Sequence, residues 1–283
     1  MISVAMTTYN GEKYVTEQLR SIMNQTRPVD ELILCDDGSS DHTADLVQKL
    51  IAEKNTSLKI EWIQNPENLG YTRNFTKAIG CCHGDYIFLC DQDDIWEPNK
   101  VERMVETMEQ NHIQFLCSNY SLIGQSGSPL TRPVAVPAFI QKAKPGLTKV
   151  PFFTLLFENI AQGCTYCFTR KVREVFLRAD YPDLIHDYQL ILIAASMDSA
   201  YFLNEKLIRY RIHDSNSVGL PDQKVIKKVH FHFHYYIPKN ASFLKVLRKH
   251  WKVPFYPLTM AVLYLKIPVI YLVIRSHIAA HRK

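Results

Sequence analysis

The chain has 283 residues, of which 47% are hydrophobic and 22% are charged. These proportions exclude a chain dominated by disorder and are typical of a globular protein with a large core. The net charge of +5 is unevenly placed, because residues 223–283 carry 12 Lys and Arg but no Asp or Glu. Long apolar runs separate these basic residues, a pattern that favours a lipid surface over nucleic acid as the partner. The sequence therefore predicts a catalytic core at 1–222 and a basic, apolar, helical C-terminal region at 223–283.

The N-terminus and the cysteines indicate a reducing compartment. Met1 leads directly into a predicted strand, so no signal peptide is expected and the cytoplasm is the predicted location. Cys164 and Cys167 have the spacing of a metal or redox pair. No second Cys or His pair stands at zinc-finger distance, so both are interpreted as strand residues near a pocket.

The first hundred residues alternate between short apolar runs and segments of helical periodicity. The pattern predicts four strands, at Ile2–Met6, Glu31–Cys35, Leu58–Ile63 and Tyr86–Cys90. Helices are predicted between them, with Asn10 and Ser40 or Asp41 as N-caps of the first two and with a third over Tyr71–Ile79. Strand–helix repeats of this length predict an α/β fold with a mostly parallel central sheet flanked by helices.

The second part of the chain is less regular. A helix is predicted from Pro98 to about Glu109, and a strand at Phe115–Ser118. The stretch 124–151 is rich in Gly, Pro, Ser and Lys, which predicts a mobile loop over the site.

A polar loop follows three of the predicted strands, at Thr7–Asn10, Asp36–Asp41 and Asp91–Asp94. Because ligands of parallel α/β sheets bind at the carboxyl ends of the strands, these loops are expected to meet at one edge. The chain has neither a Gly-x-Gly-x-x-Gly turn nor a Gly-Lys-Ser/Thr phosphate loop, which argues against a dinucleotide dehydrogenase and a P-loop NTPase.

The third loop has the highest density of carboxylates, with Asp91, Asp93 and Asp94 within four residues. Such a cluster is stable where a cation or solvent offsets the charge, and a hard divalent ion such as Mg²⁺ or Mn²⁺ prefers oxygen ligands. A solvated acidic turn that caps the next helix is the alternative. Asp36 and Asp37 likewise have two interpretations. They bind a ligand, or they form a turn that caps the next helix.

Six short motifs follow one another along the chain. They are Thr-Thr-Tyr-Asn-Gly at 7–11, Asp-Asp-Gly-Ser-Ser-Asp at 36–41, Asn-Leu-Gly-Tyr-Thr-Arg-Asn at 68–74, Asp-Gln-Asp-Asp at 91–94, His-Asp at 186–187 and Tyr-Arg-x-His-x-x-Asn at 210–216. In this order and spacing they resemble the motifs of the family 2 glycosyltransferases, which have the GT-A (Rossmann-like) fold. The resemblance runs from about residue 2 to 219.

The resemblance implies a role for each motif. Residues 1–100 would bind the nucleotide-sugar donor and residues 101–222 the acceptor. Asp93 and His213 would hold Mg²⁺ or Mn²⁺, and Asp187 would be the catalytic base of an inverting transfer. The acceptor would meet Gln162, Gly163 and His186. The donor would meet Thr8, Tyr9, Asn10, Asp36, Asp37, Gly70, Arg73, Asn74, Asp91, Gln92 and Arg211.

Each of the later motifs has a structural alternative. Asp187 follows an apolar pair and fits an N-cap of the next helix. Arg211 and His213 follow another apolar run and fit a solvated loop.

The acidic loop and the Ile-Trp-Glu-Pro-Asn-Lys segment at 95–100 resemble those of rhamnosyltransferase-type members. The resemblance implies dTDP-L-rhamnose as donor and a glycan or lipid-linked saccharide as acceptor in cell-surface polysaccharide biosynthesis. Donors such as UDP-hexoses and UDP-N-acetylhexosamines stay open, as does a catalytically inactive glycan-binding scaffold. A nucleotidyltransferase is disfavoured because it would need a Gly-rich phosphate loop near its start. A processive synthase is disfavoured because it would need several membrane spans.

The C-terminal region contains a nearly apolar stretch from Val253 to Ile274. Pro residues and Lys266 interrupt it, which disfavours a spanning helix. We expect this region to dock the enzyme on the inner face of the bacterial cell membrane. The alternative is a helical pair that packs on the catalytic core or on a second subunit, as in a homodimer.

Overall fold

Parallel strands joined by helices form the first half of the sheet. In the computed structural model, which describes residues 1–53, 58–130, 138–156, 159–213 and 237–264, their order is β3-β2-β1-β4. The strand–helix repeats predicted from the sequence are confirmed. The elements are β1 Ile2–Thr8, α1 Val15–Met23, β2 Glu31–Asp36, α2 Thr43–Ala52, β3 Lys59–Gln64, α3 Tyr71–Cys81 and β4 Tyr86–Cys90.

The second half of the sheet is mixed. The order continues from β4 through β8, β6 and β9 to β5, with β7 also paired to β9. Strand β8 runs antiparallel to both neighbours, whereas β6 and β9 are parallel. The elements are β5 Ile95–Trp96, α4 Lys100–Asn111, β6 Phe115–Ile123, α5 Ala138–Lys142, β7 Leu147–Lys149, α6 Phe152–Leu155, a 3-10 turn at Gly163–Thr165, β8 Tyr166–Thr169, α7 Arg170–Ala179, α8 His186–Ser196 and β9 Ala200–Arg211.

The central strands form the core because helices cover both faces of the sheet. Val4, Leu34 and Phe88 are fully buried on β1, β2 and β4. The edge strand β3 is instead partly exposed along its length. The most buried strands are therefore those whose carboxyl ends carry the polar loops.

Three expectations from the sequence need correction. Helix α1 begins at Val15 with Tyr14 at its N-cap, and Asn10 adopts a left-handed conformation in the preceding loop, with φ of 49°. The N-cap of α8 is Ile185, so Asp187 lies inside the first turn. The described part of 124–151 is not one long loop, because it contains helix α5 and strand β7, which pairs with β9. Composition does not reveal a short element such as β7, because pairing with a strand distant in sequence stabilises it.

Two further helices, α9 at Ile237–His250 and α10 at Tyr256–Tyr264, belong to the C-terminal region. Helix α9 packs on the catalytic core, with Phe243, Leu244 and Leu247 fully buried. The Asn240 amide donates to the hydroxyl of Tyr188 on α8 at 3.1 Å. This part of the chain thus fits the packed-helix alternative, while 223–236 and 265–283 lie outside the described residues. Among the described helices, none has the length and apolar character to cross a membrane.

Candidate active site

The site lies where the strand order reverses, between the carboxyl ends of β1 and β4. Open α/β sheets bind ligands at this position. The Gln92 side chain joins the two loops there: its Oε1 accepts from the Tyr9 amide at 2.8 Å, and its Nε2 donates to the Tyr9 carbonyl at 3.0 Å. Gln92 thus sets the width of the crevice, while about half of Tyr9 is exposed at its rim.

The loop after β2 forms one wall of this crevice. The Thr8 hydroxyl donates to Asp36 Oδ1 at 2.8 Å, and the Ser39 amide donates to Asp36 Oδ2 at 2.9 Å. Asn10 completes the same wall. Its backbone amide donates to Ser39 Oγ, and its side-chain Oδ1 accepts from the Ser40 backbone amide, both at 2.9 Å. Thr8, Asn10 and Asp36 are therefore brought together, as the sequence predicts.

Asp37 and Asn74 lie behind this wall and are almost fully buried. Asp37 accepts hydrogen bonds from the Leu69 amide at 2.8 Å and the Gly70 amide at 2.9 Å. The Asn65 amide bridges the pair, donating to both side-chain oxygens at 2.9 Å. Both residues were expected to meet the donor, but their oxygens are engaged inside the protein, so they fix the turn at Gly70.

The acidic loop after β4 faces the end of β9. His213 Nε2 lies 2.8 Å from Asp93 Oδ2, so the two residues expected to hold a metal are adjacent. Asp94 is buried, and its Oδ1 accepts from the Arg211 amide at 2.9 Å. The ligand atoms of Asp91, Asp94 and Cys164 also lie within 4.8 Å of one another.

The Arg211 guanidinium is enclosed rather than open to a ligand, with 1% of the side chain exposed. It pairs with Glu17 at 2.6 Å, donates to the Asp93 carbonyl at 2.6 Å and lies over the Tyr14 ring. These contacts fasten the acidic loop to α1 and β9. The expected donor contact of Arg211 is therefore replaced by a supporting role.

The acidic loop concentrates negative charge in a buried place. Burial and the charges of Asp93 and Asp187 raise the pKa of Asp91. Burial, with the charge of Asp93, also raises the pKa of Asp94. A divalent cation would relieve this repulsion, and a carboxylate beside an imidazole is a donor set that such an ion accepts. The residues present therefore fit Mg²⁺ or Mn²⁺.

Two buried neighbours of the loop lack the chemistry to bind a hard cation. Burial raises the pKa of the Cys164 thiol, so this sulfur stays protonated. Lys100 is fully buried, donates to the Cys164 carbonyl at 2.7 Å and lies 4.0 Å from the centre of the Trp96 ring. Its pKa is lowered to about 8 by burial. Lys100 thus provides a nearby positive charge beneath the acidic loop.

Asp187 lies in the first turn of α8 and is 8% exposed. Its Oδ2 accepts from the Asn159 amide at 3.2 Å, and burial raises its pKa to about 7. A carboxylate with a pKa near neutrality suits a general base. Gly163 faces it closely, because a Cβ at that position would lie 3.2 Å from the Asp187 Cβ.

His186 fills the space beside this carboxylate. Its ring stacks on Phe75 with the centroids 4.2 Å apart, and burial lowers its pKa to about 3, so the ring is neutral. Gln162 precedes the 3-10 turn, and its carbonyl accepts from the Thr165 hydroxyl at 2.7 Å. The predicted acceptor residues therefore lie around Asp187, on the side of α8 and β8.

Sequence reasoning missed Glu17, Lys100 and Asn159. Only one signal was available, since Lys100 falls on the same helical face as buried Met104. A lysine on an apolar face indicates a buried partner. Glu17 and Asn159 stand in segments with no motif, so only the fold brings them to the site.

An α/β sheet with an acidic loop at its switch point is the arrangement of the GT-A fold. Residues 3–171 match the family model described as Glycosyl transferase family 2. The chain belongs to this family.

Known proteins of similar sequence agree with this assignment. The putative teichuronic acid biosynthesis glycosyltransferase TuaG of Bacillus subtilis is 26% identical, over 82% of this chain and 86% of that protein. The dTDP-rhamnosyl transferase RfbG of Shigella flexneri is 27% identical, over 76% of this chain and 73% of that protein.

A solved structure shares the fold. The mannosyltransferase PcManGT from Pyrobaculum calidifontis, in complex with GDP-Man and Mn²⁺, superimposes with a TM-score of 0.57 at 16% identity. The match covers 100% of this chain and 75% of that one.

Proposed function

We propose that this glycosyltransferase moves a sugar from a nucleoside diphosphate to an acceptor hydroxyl with inversion, and that Asp187 is the base. One observation carries the proposal: a Cβ placed on Gly163 would lie 3.2 Å from the Asp187 Cβ and 3.5 Å from Leu89 Cδ1, and Leu89 belongs to β4, the strand that leads into the acidic loop. The predicted donor-binding loop and the predicted base are thus close enough to serve one reaction.

Each group in the crevice has a distinct task in this proposal. Thr8 and Asp36, whose side chains are hydrogen-bonded to each other, form the wall that holds the nucleoside base, and Asp91 accepts hydrogen bonds from the ribose hydroxyls. Asp187 takes the proton from the acceptor hydroxyl as that oxygen attacks the anomeric carbon. Asp93 and His213 would hold Mg²⁺ or Mn²⁺, which supplies positive charge for the departing diphosphate. The Mn²⁺ in the complex of the mannosyltransferase supports this metal dependence.

The donor proposed is dTDP-L-rhamnose, and the acceptor is a glycan or lipid-linked saccharide of a cell-surface polysaccharide. The support is the similarity to RfbG, named a dTDP-rhamnosyl transferase, and to TuaG, named for teichuronic acid biosynthesis. A UDP-hexose or UDP-N-acetylhexosamine donor is the second candidate, because GT-A sites differ in the sugar they accept. A glycan-binding scaffold without activity is the third.

A donor panel tests this proposal. The protein's melting temperature is measured with dTDP-L-rhamnose, UDP-glucose, UDP-N-acetylglucosamine and GDP-mannose, each with and without Mn²⁺. We expect dTDP-L-rhamnose to give the largest metal-dependent rise, since a ligand that binds only the folded state stabilises it. A larger rise with a UDP-sugar would move the assignment to that donor. No rise with any donor would favour the scaffold.

We further propose that the enzyme is cytoplasmic and sits on the inner face of the membrane through its C-terminal region. Apolar side chains exposed on and before α10 support this, with Phe255 71% and Leu258 57% exposed. Exposed basic residues lie close by in the chain, at Lys245, Arg248, Lys249 and Lys252. Each such charge near an anionic leaflet contributes about 1 kcal/mol.

Point variants test docking better than truncation, because α9 is part of the core. The variant Leu258→Ser should reduce flotation with phosphatidylglycerol vesicles and leave the melting temperature unchanged, because this side chain is 57% exposed. Lys142→Gln, an exposed basic residue on α5, is the control. If wild-type protein ignores the vesicles at low salt, docking is refuted.

A further inference from the structure

A cavity of about 270 Å³ opens beside the start of α3 and is separate from the donor crevice. Its volume is near the lower end of the about 300–1,000 Å³ that pockets for drug-sized ligands have. It nevertheless holds far more than a water molecule, which occupies about 30 Å³. Its lining includes Gly70, Tyr71, Arg73, Asp183, Ile185 and Lys239.

The charge of this cavity favours an anion. Arg73 reaches it from α3 and Lys239 from α9, two segments far apart in sequence, and Asp183 is the carboxylate in its lining. In the described chain no carboxylate pairs with the Arg73 guanidinium. Helix α3 begins beside the cavity at Gly70, but the Asp37 carboxylate already accepts from the Gly70 amide at 2.9 Å, so the two basic side chains rather than the helix end give the cavity its positive charge.

The position of the cavity points to the acceptor rather than the donor. The loops after β1, β2 and β4, which form the donor crevice, contribute nothing to its described lining. Ile185 lines it and directly precedes His186 and Asp187. The Tyr71 ring, another part of the lining, meets the His186 ring edge-on at 6.5 Å between centroids. A group held here therefore lies at the start of α8, the helix that carries the predicted base.

We propose that this cavity binds a phosphate or diphosphate group of the acceptor, with Lys239 and Arg73 as its ligands. The inference rests on the proposed function and narrows the acceptor to a phosphate ester. Arg73, expected from the sequence to meet the donor, is thereby assigned to the acceptor. The ester belongs either to a polyprenyl-type lipid carrier or to a phosphate-containing glycan.

Calorimetric titration of the full chain tests this assignment with three probes: farnesyl phosphate, glucose 1-phosphate, and dTDP with Mn²⁺. Lys239→Gln should weaken binding of a phosphate ester about tenfold, because a hydrogen bond from a charged donor is lost. The control is Lys249→Gln, an exposed lysine on the same helix that does not line the cavity, and it should bind as wild type. dTDP binding should not change in either variant.

The outcomes distinguish a lipid carrier from a phosphate-containing glycan, and an acceptor subsite from a part of the donor site. Binding of either ester that depends on Lys239 supports the subsite, and the tighter ester identifies lipid carrier or glycan. The proposal is overturned if Lys239→Gln binds the esters like wild type. It is also overturned if this variant binds dTDP more weakly in parallel, because the cavity would then be part of the donor site. Failure of the proposed transfer would appear instead as no turnover of any sugar nucleotide, with ester binding intact.

Discussion

The pH dependence of transfer gives the sharpest test of Asp187 as the base. The base must be ionised to accept a proton, and burial raises the Asp187 pKa to about 7. Roughly one tenth of the carboxyl is therefore ionised at pH 6 and about nine tenths at pH 8. We expect kcat/KM to rise about tenfold over this range and then level off.

Asn159 allows this pKa to be moved without changing the base itself. Its amide donates to the carboxylate at 3.2 Å, which favours the ionised form and lowers the pKa. A hydrogen bond to a charged group contributes about 1.5–3 kcal/mol, and about 1.4 kcal/mol corresponds to one pKa unit. Asn159→Ala should therefore raise the pH midpoint of the acid limb of the kcat/KM profile by about one pH unit.

Tyr166→Phe is the matched control. The Tyr166 hydroxyl donates to the Asn159 side chain at 3.1 Å and to the Ala161 carbonyl at 2.8 Å, and among the described residues it makes no hydrogen bond to Asp187. Its removal should leave the acid limb within a few tenths of a unit.

The assay is nucleotide release measured between pH 5.5 and 9 at saturating Mn²⁺, with Asp187→Asn as the inactive reference. That variant should lose roughly a hundred- to ten-thousand-fold in turnover. A flat wild-type profile, or an acid limb that Asn159→Ala does not move, would refute the assignment.

Other substitutions test the metal, the fit around the base and the wall of the crevice. Asp93→Asn should abolish transfer and weaken donor binding only when Mn²⁺ or Mg²⁺ is present; a wild-type rate that survives EDTA would contradict this. Gly163→Ala should lower kcat about tenfold to a hundredfold by displacing Asp187, with Gly80→Ala as a neutral control in steady-state kinetics. Asp37→Asn should lower the free energy of unfolding by about 2 kcal/mol in urea denaturation, because an acceptor for the amides of the Gly70 turn is lost; an unchanged midpoint would refute its supporting role.

Local patterns predict the first half of the fold well because apolar runs and helical spacing are properties of neighbouring residues. The strand at Tyr86–Cys90 is found as predicted, and β1 and β2 extend one or two residues further. The polar loops lie at the strand ends because a parallel sheet brings its carboxyl ends to one edge. The second half of the fold is harder to predict from the sequence, because β7 and β8 are short and pair with strands distant in sequence.

The sequence by itself determined the family, the repeated strand–helix units and the acidic loop of the crevice, because each is written in contiguous residues. Only the tertiary structure decided which polar atoms stay open to a ligand. Arg211 and Asp37 belong to the motifs, yet their polar atoms bind partners inside the protein and hold the neighbouring loops in place. Lys239 stands outside every motif, yet the packing of α9 brings it to the cavity beside α3. The physical reason is that hydrogen-bond saturation and burial depend on neighbours supplied by distant segments, which spacing along the chain does not encode.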